Sequence, residues 1–119
     1  MHPDTPLFFA AAPEAFPLYL AFEAALLNRL PATNIRVQKT QITYISRWVY
    51  GCVSLPRLKA QRGGLIVTFG LGQAEKSERI LQCSEPYPGR FTHHVLLRNE
   101  SEIDEELLGW LEEAYYWRM

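Results

Sequence analysis

Apolar residues recur at two different spacings along this chain, and the change of spacing marks its elements. Tyr19, Phe22, Leu26 and Leu30 step by three and four, with Leu20 and Leu27 close by on the helical wheel. Ala21, Ala24 and Ala25 are strong helix formers, Pro17 suits a first turn, and Pro31 stops the run. This spacing predicts a helix over 17–29, preceded by an irregular lead-in over 1–12. Alternation then takes over. Ile35 and Val37 point one way, Arg36 and Gln38 the other, and a second run follows over 41–45. Aromatic and β-branched residues predict further strands over 48–55 and 64–71, the latter the most apolar and therefore central. A basic loop with Arg57, Lys59 and Arg62 separates them. A short strand is expected over 79–83, a turn over 85–89 and a last strand over 91–98. Ile103, Leu107, Trp110, Leu111 and Ala114 form the stripe of a final helix, with Ser101 and Asp104 competing for its N-cap.

The order is helix, five or six strands, helix. Short connections favour antiparallel neighbours. An α+β fold of two layers follows, with an antiparallel sheet and both helices on one face. No internal repeat, linker or low-complexity segment divides the 119 residues, so 1–119 reads as a single domain.

Composition supports a packed core: 48% of residues are hydrophobic and 21% charged. With 12 basic and 13 acidic residues, the net charge is −1, which argues against nucleic acid as a partner. The apolar stretch over 6–12 is short and follows Asp4 rather than a basic residue, so it does not read as a targeting signal. No apolar run approaches the roughly 20 residues that span a bilayer. The only cysteines, Cys52 and Cys83, lie far apart in strand-like runs without a metal pattern. They read as buried free thiols in a reducing cytoplasm.

Three blocks carry a family resemblance: Val37 through Tyr44, with Lys39-Thr40-Gln41-Ile42 at its centre; Glu85-Pro86-Tyr87-Pro88-Gly89-Arg90-Phe91-Thr92-His93-His94; and Ile103 through Leu111, continuing to Ala114-Tyr115. Pro17-Leu18-Tyr19 matches the first helix. Together they resemble an uncharacterised bacterial family of domains of unknown function, whose relatives occur at the C-terminus of so-called predicted transport proteins. The resemblance implies a small α+β domain and carries over no catalytic residues.

Candidate chemistry is sparse. On a strand, His93 and His94 point to opposite faces, so they cannot share a metal ion; His93 reads as a hydrogen-bonded core residue and His94 as the site candidate. No metal or cofactor is implied. Lys39 and Gln41 at a strand junction suggest an anion clamp, with Arg90 as a second cation and Gly89 allowing close approach of backbone. Arg90 and His94 share a strand face. Tyr87 completes the set, and Trp48, Tyr50 and Tyr44 are further pocket candidates. The reading is a non-enzymatic binding or accessory domain for a small anion or protein segment. One alternative is an enzyme acting on a small or nucleotide-like anion, with His94 as acid or base and a carboxylate or thiol beside it. Another is an interaction module that uses an edge strand or the aromatic C-terminus around Tyr115, Tyr116, Trp117 and Arg118.

Overall fold

In the computed structural model, which describes residues 1–117, the chain folds as an antiparallel sheet with helices on one face. The elements are α1 (Thr5–Phe8), α2 (Phe16–Arg29), β1 (Asn34–Val37), β2 (Ile42–Ile45), β3 (Val49–Ser54), β4 (Leu65–Leu71), β5 (Ile80–Tyr87), β6 (Arg90–Leu97) and α3 (Glu105–Tyr116). The expected α+β class is therefore observed, and the six strands lie in the order β1-β2-β3-β4-β6-β5. The most apolar strand, β4, is an inner strand, with β3 paired along one edge and β6 along the other.

The cross-strand registers divide the side chains cleanly. Ile42, Val53, Val67 and Val95 form one row on the helix-covered face. Tyr44, Phe69 and His93 also point there: Tyr44 packs on Phe22 of α2, and Phe69 stacks between His93 and Trp110 of α3. Gly51 is required at this face, because a Cβ there would sit 2.8 Å from the Thr68 carbonyl oxygen and 3.4 Å from Leu111. Three buried polar side chains, Tyr19, Glu23 and Tyr44, form a chain of hydrogen bonds. Tyr19 donates to Glu23 at 2.9 Å, and Tyr44 donates to Tyr19 at 3.1 Å, so burial does not strand them. Arg29 joins the two long helices through two bonds to Glu105, at 2.7 and 2.8 Å, and one to Glu112 at 2.9 Å.

Four expectations need correction. The lead-in over 1–12 is not irregular: it holds α1 and a 3-10 turn at Phe9–Ala11, and Phe9 is buried against Phe16 and Tyr19. Pro6 in the first turn of α1 starts this structure. The short strand over 79–83 instead runs from Ile80 to Tyr87, so the proline-rich segment is strand up to Tyr87. An edge position explains this, since Pro86 lacks the N–H that a central strand would need. Sequential neighbours also fail at one point, because β6 inserts between β4 and β5. Residues 72–79 run back across the covered face, where the Glu75 N–H donates to His93 Nε2 at 2.9 Å. Finally, the cysteines are not both buried. Cys52 is half-buried, and Cys83 is exposed because β5 is an edge strand that no helix covers.

At α3 the competition for the N-cap resolves to Asp104, whose carboxylate accepts the Leu107 N–H at 3.1 Å. Ser101 lies in the preceding 3-10 turn and donates to the Asn99 side chain. Arg79 locks the returning loop to this helix start: it bonds Asp104 at 2.7 Å and the Glu102 carbonyl at 2.7 Å, and covers the Trp110 ring. Arg118 lies outside the described residues. Among those residues, no helix is long and apolar enough to cross a membrane.

Candidate functional site

The β1–β2 turn places Lys39 and Thr40 at one end of the sheet, closed by the Gln38 N–H donating to the Gln41 carbonyl at 2.8 Å. Both side chains are exposed. They border a shallow depression of about 430 Å³, which also takes in Gln41, Ser54, Arg57 and Phe8. Among the described residues, no acidic one lines it. Lys39 and Arg57 thus bring two positive charges to one concavity beside the Thr40 and Ser54 hydroxyls. Gln41 plays a smaller part than its position suggests. Its side-chain NH₂ donates to Thr43 Oγ1 at 2.9 Å and faces Gln38 Oε1 at 3.5 Å, while Thr43 donates to Gln38 Oε1 at 2.5 Å. The amide protons are engaged within this network, so Gln41 shapes the turn more than it offers donors outward.

Arg90 is elsewhere. It begins β6, five residues before Val95, whereas the Lys39 turn lies beyond Ile42 at the other end of the row that joins Ile42 to Val95. At about 3.3 Å per residue the two cations are separated by more than about 20 Å. The three-cation clamp is therefore not assembled: antiparallel order sends the two hairpin turns to opposite ends of the sheet. Arg90 instead lies over the Trp117 ring, 5.8 Å from its centroid, and beside Gly70, where a Cβ would approach its guanidinium at 3.2 Å. It lines a second cavity, about 340 Å³, with Trp48, Tyr50, Ala114 and Trp117. This cavity opens where β3 and β4 part beyond the Gly51–Phe69 pair. Burial pushes the Tyr50 phenol up to about 12, and its hydroxyl meets Thr33 at 2.7 Å. Tyr87 pairs with Arg90 across the Pro88-Gly89 turn and is 57% exposed. Gly89 has φ +80° with no described residue within 4 Å of a Cβ, and this turn conformation is by itself enough to favour glycine there.

His94 belongs to neither concavity. It lies on the open face of the sheet in a polar row that runs Arg36, Thr43, Cys52, Thr68, His94 and Gln82 across all six strands. Its Nδ1 meets Thr68 Oγ1 at 2.9 Å. Burial, reinforced by neighbouring His93, lowers its pKa below the usual 6.5. Thr68 also hydrogen-bonds the Cys52 thiol, whose pKa burial raises. A thiol so shifted is a weak nucleophile at neutral pH, and Cys52 is two strands from His94, about 9–10 Å. The row gives a relay of hydroxyl contacts, with no carboxylate at the imidazole among the hydrogen bonds of the described residues.

His93, on the covered face, is the hydrogen-bonded core residue expected of it. Because Nε2 accepts from Glu75, the ring proton resides on Nδ1, which has no partner among the described residues. Two contributors to these sites carried weak signals in the sequence. Arg57 was visible only as part of a basic loop, and the loop from Gly72 to Arg79 gave no sign that it would return over His93.

A family model described as a domain of unknown function (DUF5655) matches residues 7–117. The chain belongs to that family. The match spans the two depressions and the open face, and the three blocks that carried the resemblance become the two hairpins and α3 of this DUF5655 fold. No curated protein and no solved structure matches the chain.

Proposed function

We propose that this domain binds a small anion in the depression at the β1–β2 turn, as a binding or accessory module rather than a catalyst. One observation carries the reading: Lys39 and Arg57 share a concavity that no acidic side chain among the described residues lines. Two like charges held together repel, and an anion placed between them relieves that repulsion while the Thr40 and Ser54 hydroxyls supply hydrogen bonds. Loops at a sheet end suit such a role, because the strands below hold them rigidly. Arg90, Tyr87 and His94 have no part in this site. The setting included in the reading is a reducing cytoplasm, supported by two unpaired thiols of which one is exposed.

Titration with inorganic phosphate, followed by backbone NMR, tests the proposal. Shifts are expected at Thr40, Gln41, Ser54 and Arg57, diminished by added salt and lost in both Lys39→Ala and Arg57→Ala. Shifts scattered over the surface, or retained in both variants, would overturn it.

A further inference from the structure

Among the described residues, the centre of the open face of the sheet lacks charge where a solvent-facing sheet normally carries it. Both long helices pack on the other face, through Phe22 against Tyr44 and Trp110 against Phe69. On the four inner strands, alternation leaves Thr43 and Ile45, Cys52 and Ser54, Ile66 and Thr68, and the β6 residues between Arg90 and Arg98, pointing outward. None of these positions is Asp, Glu, Lys or Arg, in a chain that is 21% charged. Charge stands at the margins of this surface, with Arg36 on the edge strand β1, Arg90 at the first position of β6 and Arg98 just past its end. Val49, opposite Ile45, is 49% exposed and extends the apolar surface. An uncharged centre with a charged rim is the anatomy of a protein interface.

We propose that two copies of this chain associate through this face, as a twofold sheet-on-sheet dimer. The pattern favours a second copy over an unlike partner. Near a twofold axis each side chain meets its own counterpart, so any charge there would repel itself, whereas Ile66, Thr68 and His94 meet theirs without that cost. The dimensions agree. Six strands about 4.8 Å apart, averaging about six residues, span roughly 29 by 20 Å. That is roughly 600 Å² in projection, and side-chain relief brings it near the ~800 Å² per partner of a standard interface. Two such faces would stack about 10 Å apart, with strands nearly aligned. The anion depression lies at the sheet end, so this association stands independently of it.

Sedimentation velocity on the full chain, from about 5 to about 500 µM, decides the matter, since self-association depends on concentration. A species of twice 13.7 kDa is expected as concentration rises. Ile66→Glu should weaken association at least about tenfold through like-charge apposition, whereas Leu20→Glu, on the exposed side of α2, should leave it unchanged. Should Ile66→Glu fail to fold, dilution of the wild-type chain monitored by NMR gives a separate readout, with shifts expected at Cys52, Thr68 and His94. A mass of 13.7 kDa at every concentration would overturn the proposal. So would a folded Ile66→Glu chain that still dimerises as tightly as wild type, or dilution shifts confined to β5 or the helices.

Discussion

His93 and His94 are adjacent in sequence and chemically identical, yet the sheet gives them opposite environments. His93 faces the helices: it is fully buried, stacks on Phe69, and has a fixed tautomer because Glu75 donates to its Nε2. His94 faces outward, half-buried in a row of hydroxyl and thiol groups. The same division runs through every inner strand. One face is filled with large apolar side chains and closed by α2, α3 and the loop 72–79. The other has an uncharged centre on the inner strands, and no long helix of the described residues covers it. The first holds the packed core, and the second is the face we propose for dimerisation. A single-residue slip in register would exchange the two, which is why the apolar rows on β3, β4 and β6 set register so firmly.

The largest effects should fall on the covered face. Phe69→Ala removes a ring stacked between His93 and Trp110 and is expected to cost about 3–5 kcal/mol. Ile66→Ala, next to Thr68 on the open face, should cost far less in denaturant unfolding at low protein concentration. Equal losses would break the distinction between the faces. A second contrast concerns glycines. Gly51→Ala forces a Cβ against the Thr68 carbonyl and should destabilise by on the order of 1–3 kcal/mol. Gly109→Ala, inside α3 with nothing within 4 Å, should stabilise by about 0.5–1 kcal/mol through helix propensity. Thermal melting of both variants checks the pair of signs.

The cap that anchors α3 over the covered face gives a smaller effect. Asp104→Ala should lower the denaturant midpoint by the equivalent of about 1 kcal/mol, whereas Ser101→Ala should leave it nearly unchanged. The reverse ranking would move the start of the helix. The smallest effect is pH-dependent. Folding lowers the pKa of His94, so the unfolded chain takes up its proton first as pH falls below 6.5. His94 is neutral in both states above that value, and its contribution is lost progressively as pH falls through the folded pKa. His94→Gln should therefore narrow the gap between urea midpoints measured near pH 7.5 and near pH 5, at one protein concentration. An unchanged gap would place the acid sensitivity in other groups.

Much of this fold was legible in the chain because its signals are local. The spacing of Tyr19, Phe22 and Leu26 announces α2 wherever it packs, and the alternation in β6 assigns His93 and His94 to opposite faces before any partner strand is known. The N-cap could be narrowed to two residues because capping involves groups within one turn. The resemblance in three blocks identified the family for the same reason, since each block is contiguous in sequence.

What the tertiary structure decided is how distant segments meet. Lys39 and Arg90 each lie beside a strand end, and nothing local reveals that strand order sends those ends apart by more than about 20 Å. Arg57 joins Lys39 only because β3 returns beside β2 and delivers its following loop to the same rim. Cys83 sits in an apolar-looking run, yet β6 takes the inner place and leaves β5 exposed at the edge. Periodicity follows from the geometry of neighbouring peptide units and survives in any context, so helices, faces and caps are written in the sequence itself. Strand order depends instead on which long-range pairings bury the most surface together, a property of the whole chain that no short window contains.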